Sequence, residues 1–454
     1  MSDTISGHTS YKGKEFTFFL LDYILTLVPK DNHILGLSVY QQERLPYLEG
    51  VTSDGHKICF FNLSLSGAMI YQKLVTSISA YILGRNKAQS IEFSSFAAIS
   101  FYGKIVDKYF NPSEKFDFEK SSNDIESGSS IRVLKSFSDV DVSYNIKPGL
   151  VLTLGVVDPQ MPDTSIHNLG VLHSMLRLQS ESCWSLDDVI NLYLSIFRLF
   201  SFFNFRSNIS FEQVTLSALS DDKYYPVGNL FIRSKYSCTD IKEIKTMTHP
   251  YIKGKIVRLY NFLNRNNELS CFIPENDETA QYVDNDTYVL TCAVFEKVFS
   301  LSYPKAILKN KKPVHLEVRS RILADIKEIV STSTGDYQVE ADYYLNAFEH
   351  MGERTLRDRF TYCVMQNRAI IEKIFPSVEL TNNTISKLSS GFVKQRNAFN
   401  HGNFERITVF SFSPYSFAII LIYIMILRQE EIDDSTIAFI VKRMFEKYPH
   451  QDFN

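Results

Sequence analysis

Along the first 180 residues the apolar positions come in short runs broken by turn-forming residues, the pattern of strands. The stretch "EFTFFLLDYILTLVPKDNHILGLSVY" (15–40) carries two apolar runs around "PKDN" and predicts a hairpin turning there. "LEGVTSDGHKICFFNLSL" (48–65) predicts a second hairpin, with Asp54-Gly55 supplying the left-handed backbone of a tight turn. Further strand-like runs stand at 81–86, 90–101, 130–137 and 149–157, and the polar stretch 111–130 reads as a loop.

At 185 the period changes. Ser185 followed by Asp188 forms a capping box in front of a helical run over 185–205. Two more strands are predicted at 211–219 and 228–235, and a short helix near 255–265. The polar segment 264–286, with Pro274, marks a boundary. Beyond it the pattern is helical, with segments at about 286–304, 316–332, 338–350, 354–375, 384–401, 414–431 and 435–448. Pro304, Pro313 and Pro376 fall between them, where helix-breaking residues belong. The expected class is α+β: a β-rich domain over 1–180, a mixed helix and strand extension over 181–275, and an all-helical bundle over 276–454.

Composition narrows the function. The chain has 454 residues, of which 44% are hydrophobic and 22% charged, and a formal net charge of −3. That charge gives the whole molecule no electrostatic footprint for nucleic acid or a membrane, so any such contact is local. Six cysteines lie far apart with no metal-ligand spacing, which favours reduced thiols over disulfides or zinc. The first residues lack a signal-peptide pattern, and the apolar run 417–427 is too short to span a bilayer. The expectation is a cytoplasmic protein with no membrane contact. No P-loop, G-x-G-x-x-G, H-E-x-x-H or EF-hand pattern occurs.

One decapeptide concentrates chemistry: "KQRNAFNHGN" (394–403). Arg396 and His401 are five apart, roughly 140° around a helix, whereas Asn397 and His401 share a face, as do Arg396 and Asn400. Gly402 favours the left-handed position just past a helix, which places His401 at the last turn. One arginine, one histidine and amides, without a set of carboxylate ligands, suit RNA cleavage. RNA carries its own nucleophile, the 2′-hydroxyl. The reaction needs a base for that proton, an acid for the leaving 5′-oxygen and a cation at the phosphorane. His401 would be base or acid, Arg396 the phosphate fork, and Asn397 or Asn400 an orienting group, with no metal or other cofactor required. Read without further context, the same residues describe an ordinary solvated helix end whose histidine supports the helix dipole.

"RNAFNHG" resembles the signature of HEPN domains: arginine, a polar residue, a few more residues, then histidine, often followed by glycine. "LTCAVFEKVFSL" (290–301), with Glu296, resembles an early helix of the Apea-like HEPN branch, and "TLRDRFTYCVMQNRAIIEKIF" (355–375) its helix pair before the motif. The hairpin at 48–65 and "WSLDDVINLYLSIFRLFSFF" (184–203) are similar to the β-rich region preceding that domain in ApeA-type anti-phage defence proteins. The resemblance implies an all-α HEPN bundle at the C-terminus and a metal-independent endoribonuclease. In such enzymes the arginine and histidine of two subunits meet in one cleft, so Arg396 and His401 would work in a homodimer, with Asn397 as the polar residue after the arginine. It further implies abortive, toxin-like cleavage of cellular RNA such as tRNA, with the N-terminal region as sensor or regulator of a phage-derived trigger. Some HEPN domains lack the motif and only bind RNA or protein; a non-catalytic binding module is therefore the alternative.

Around the motif, Lys394 and Arg406 are candidate phosphate contacts or ordinary surface charges, and Glu296 a partner for Arg396 or a helix carboxylate paired elsewhere. Arg354, Arg357 and Arg359 would line an RNA path or form a solvated face; His350 reads as a structural helix-end histidine.

Overall fold

A computed structural model describes residues 4–30, 43–65, 73–87, 96–112, 116–120, 131–136, 141–157, 173–233, 246–276, 278–309, 312–350, 352–400, 407–408 and 413–445. The chain divides into two compact units, Met1–Asn267 and Glu268–Asn454. The first is built on an antiparallel sheet and the second on helices, an α+β protein.

The first unit contains β1 (Ile5–Tyr11), β2 (Lys14–Leu21), β3 (Ile24–Pro29), β4 (Glu43–Thr52), β5 (His56–Leu65), β6 (Leu74–Ser77), β7 (Ala80–Lys87) and β8 (Phe96–Tyr102). A short helix α1 (Lys104–Tyr109) follows, then β9 (Phe116–Lys120), β10 (Ile131–Ser136), β11 (Val142–Lys147), β12 (Leu150–Val157) and β13 (His173–Trp184). Helix α2 (Leu186–Asn204), β14 (Gln213–Ser220), β15 (Lys223–Ile232), α3 (His249–Ile252) and α4 (Ile256–Arg265) complete it. Among the described residues thirteen strands form one sheet in the order β11-β12-β13-β8-β14-β15-β7-β5-β4-β1-β2-β3-β6, while β9 and β10 pair apart from it. The strands at 213–232 lie inside the sheet that the earlier strands build.

Alternation places Phe16, Phe18 and Leu20 of β2 and Leu25 and Leu27 of β3 on one buried face. Phe18 meets Phe60 of β5 edge to face, with centroids 5.2 Å apart. The β4–β5 turn uses Gly55 at φ 90°, as Asp54-Gly55 predicts. In the stretch 15–40 the described turn is at Asp22 and Tyr23, both left-handed (φ 47° and 62°), and Pro29 is a strand residue opposite Phe16; the rest of "PKDN" and the predicted second run (33–40) lie outside the described residues. Contacts hold Tyr23 in that conformation: its hydroxyl donates to the Ile232 carbonyl (3.0 Å) and its ring lies 5.6 Å from that of Tyr81. The polar stretch 111–130 is also not all loop, since β9 lies within it and pairs with β10.

Helix α2 begins as its capping box requires: the Asp188 amide donates to Ser185 Oγ (3.2 Å) and the Ser185 amide to the Asp188 carboxylate (3.0 Å). Its Phe200 and Phe203 pack on Tyr109 of α1, and Ser195 shares a 2.9 Å hydrogen bond with Tyr260 of α4.

The second unit contains β16 (Tyr282–Val283), α5 (Asn285–Ser302), α6 (Pro313–Thr332), α7 (Asp336–His350), α8 (Leu356–Gln366), α9 (Arg368–Ile374), α10 (Asn382–Asn400), β17 (Ile407–Thr408), α11 (Pro414–Gln429) and α12 (Asp434–Phe445). Every residue of α11 from Tyr415 to Leu427 is buried, as a helix apolar on all sides must be; α5, α8, α10 and α12 surround it. The single helix predicted over 354–375 is two, broken at buried Asn367. The Asn367 amide donates to the Tyr303 hydroxyl (2.9 Å) and the Cys363 carbonyl (2.7 Å), and its oxygen accepts from Arg428 Nη1 (2.9 Å). Helices α6 and α7 pair with each other and bury no residue fully. No described helix is long and apolar enough to cross a membrane.

Candidate functional site

The motif sits at the end of α10. Thr381 caps its start, accepting from the Thr384 amide (3.1 Å). Ile385, Leu388, Ser389, Phe392 and Phe399 form its buried stripe, at the spacing of one helical face. Gly391 leaves the helix bare where Pro414, the first residue of α11, packs; a Cβ there would lie 3.0 Å from the proline ring.

Arg396 follows Phe392 by four and precedes Phe399 by three, so it belongs to the buried stripe and is half-buried. It faces α5. Burial pushes the Cys292 thiol of α5 up to about 12, while the nearby Arg396 charge pulls it down and Glu296 pushes it up. Among the described residues none forms an ion pair with Arg396. Lys394 and Asn397, three apart, are exposed together on the outer side, and Asn400 is exposed as well.

Tyr288 fixes this arrangement, and sequence reasoning missed it. Its hydroxyl donates at 3.1 Å to the Phe392 carbonyl and at 2.9 Å to Gln395 Oε1, one turn before and one residue before Arg396. Its ring packs against Phe392, Phe399 and Tyr415. The only sequence signal for it was a tyrosine on the apolar side of α5.

The described helix ends at Asn400, directly before His401. His401, Gly402 and Arg406 lie outside the described residues. On either side of that segment, Asn400 is the last described residue of α10, and Ile407 pairs with Val283 in the two-residue ladder just before α5.

Glu296 does not pair with Arg396. It lies 3.7 Å from Arg359, whose guanidinium also holds Glu353 at 2.6 Å. The three arginines before the motif are also engaged within the fold. Arg354 donates to the Ala306 carbonyl (2.9 Å) and stands over the Tyr362 ring (4.9 Å). Arg357 donates to Ser386 of α10 (3.0 Å), and Arg359 to the Arg354 carbonyl (2.9 Å). His350 faces Glu353 at 3.4 Å. Among the described residues no cluster of three or more His, Cys, Asp or Glu has the geometry to hold a metal ion.

No family model, no curated protein and no solved structure matches this chain.

Proposed function

We propose that the chain is a metal-independent endoribonuclease of the HEPN kind, with Arg396 and His401 as catalytic residues and Asn397 supporting them. What carries the reading is the placement of Arg396: half-buried against α5, without an ion-pair partner among the described residues, at the helix end that leads into His401. A cation in that position suits a pentacoordinate phosphorus, which gains negative charge as the reaction proceeds. One imidazole removes the 2′-hydroxyl proton, the freed oxygen attacks phosphorus, and the bond to the 5′-oxygen breaks. The leaving oxygen takes a proton from a second acid, leaving a 2′,3′-cyclic phosphate and a 5′-hydroxyl. In a homodimer the second acid is the other copy's imidazole. Exposed Lys394, Asn397 and Asn400 would hold neighbouring phosphates, with Arg406 beside them; Glu296, held by Arg359, would act only on the fold. The N-terminal unit would sense a phage-derived trigger and release this activity in abortive defence.

The test is RNA cleavage in EDTA. Arg396→Ala and His401→Ala are expected to lower the rate by about 10²–10⁴-fold with unchanged circular dichroism. Cleavage at the wild-type rate in both variants refutes the assignment.

A further inference from the structure

In the first unit a cavity of about 620 Å³ opens where the Asp22-Tyr23 turn, the middle of α2 and strands β14 and β15 converge. That volume falls within the range of small-ligand sites. Its walls are aromatic: Tyr193 and Phe197 from α2, Tyr23 from the turn, Phe211 before β14 and Phe231 on β15. Tyr193 and Phe197 run nearly parallel (interplanar 23°), and Phe231 stacks on Tyr81 at 4.6 Å.

Two largely buried residues bring polar groups to the lining of this space. Tyr193 is 7% exposed, and among the described residues its hydroxyl makes no hydrogen bond. Asn208 is 3% exposed; its oxygen accepts from Arg206 Nε (2.6 Å), which leaves its amide protons without a bond to any described residue. Both residues line the open cavity, so their polar atoms are placed to bond a polar molecule held there. Arg233 is the one cationic side chain of the described lining, and it is exposed at the end of β15. The opposing charge there, Glu212, is turned to the Lys104 amide (3.4 Å).

We propose that this cavity binds a mononucleotide. Its base would lie among the aromatic walls, with polar edges on the Tyr193 hydroxyl and the Asn208 amide, and its phosphate would meet the Arg233 fork. The site lies wholly within the first unit and does not depend on RNA cleavage by the second.

Calorimetric titration of the full chain with AMP, GMP, CMP, UMP and adenosine tests this. At least one nucleotide is expected to bind with a Kd below about 1 mM. Tyr193→Phe, which keeps the packed ring and removes only the hydroxyl, should weaken it several-fold. Arg233→Ala should weaken it at least about tenfold and bring it down to the affinity of the matching nucleoside. Melting temperatures of both variants within a few degrees of wild type establish that the fold is kept. No binding by any of the four nucleotides overturns the proposal, and so does binding that both variants retain in full. Adenosine binding as tightly as AMP, with Arg233→Ala unchanged, overturns it as well.

Discussion

At Tyr288 a single hydroxyl serves the contact between α5 and α10, bonding the Phe392 carbonyl and the Gln395 side chain. Replacing it with phenylalanine keeps the ring among Phe392, Phe399 and Tyr415 and removes both bonds. Tyr288→Phe is expected to cost about 1–2 kcal/mol in urea unfolding, since a buried carbonyl and amide oxygen lose their donor; an unchanged midpoint would contradict that role. If the proposed ribonuclease function holds, the same variant should slow RNA cleavage more than it weakens RNA binding, because it loosens the part of α10 that carries Arg396. Arg396 and Asn397 are neighbours in sequence but differ in burial, Arg396 half-buried toward α5 and Asn397 exposed. The helical period alone did not separate them by burial; the apolar positions Phe392 and Phe399 around Arg396 carry that signal. The partner of Glu296 was not legible in the sequence, because Arg359 is brought to it by the packing of α8 on α5, a contact no local pattern encodes.

Among the elements, those with strong local chemistry were the readable ones. Ser185 and Asp188 cap α2, Asp54-Gly55 turns β4 into β5, and the helices of the second unit fall close to their predicted bounds. Three misreadings have physical causes. Asp22-Tyr23 contains no glycine or proline, and tertiary contacts of Tyr23 stabilise its turn. Strand β13 reads "HSMLRLQSESCW", with polar residues on its exposed side, and was passed over. Asn367 breaks α8 from α9 without a proline, through bonds to Tyr303 and Arg428 that lie far away in sequence.

Capping also sets a pH dependence. Hydrogen bonds from the Ser435 and Thr436 side chains and amides hold the Asp433 carboxyl below its ordinary value of 3.8. A carboxylate whose folded pKa is depressed contributes stability above the unfolded value and loses it as pH falls through the folded one. Asp433→Asn cannot ionise. The melting advantage of wild type over Asp433→Asn should therefore be full at pH 6 and shrink as pH drops below about 3.8; a gap that widens in acid would contradict the cap. Helices α11 and α6–α7 set the extremes of protection. Amides of α11 between Ile419 and Leu427, buried throughout, should exchange orders of magnitude more slowly than those of α6 and α7, which bury nothing fully. Equal exchange by mass spectrometry would refute that ordering.

At the scale of the molecule, the two proposals fall in different units: the aromatic cavity belongs to Met1–Asn267 and the Arg396 helix to Glu268–Asn454. The cavity was invisible in the sequence because Tyr23, Tyr193, Asn208 and Arg233 converge only through the fold. The motif was visible because its residues are adjacent, and its meaning rests on chemistry that acts locally. A net charge of −3 agrees with that locality, since RNA would be held at one helix end and not by the whole surface. The measurement that tests this most directly is capture and sequencing of 5′-hydroxyl RNA ends from cells expressing wild type, Arg396→Ala or His401→Ala. New ends that appear with wild type and are missing from both variants are the predicted result. The same new ends in all three would contradict it.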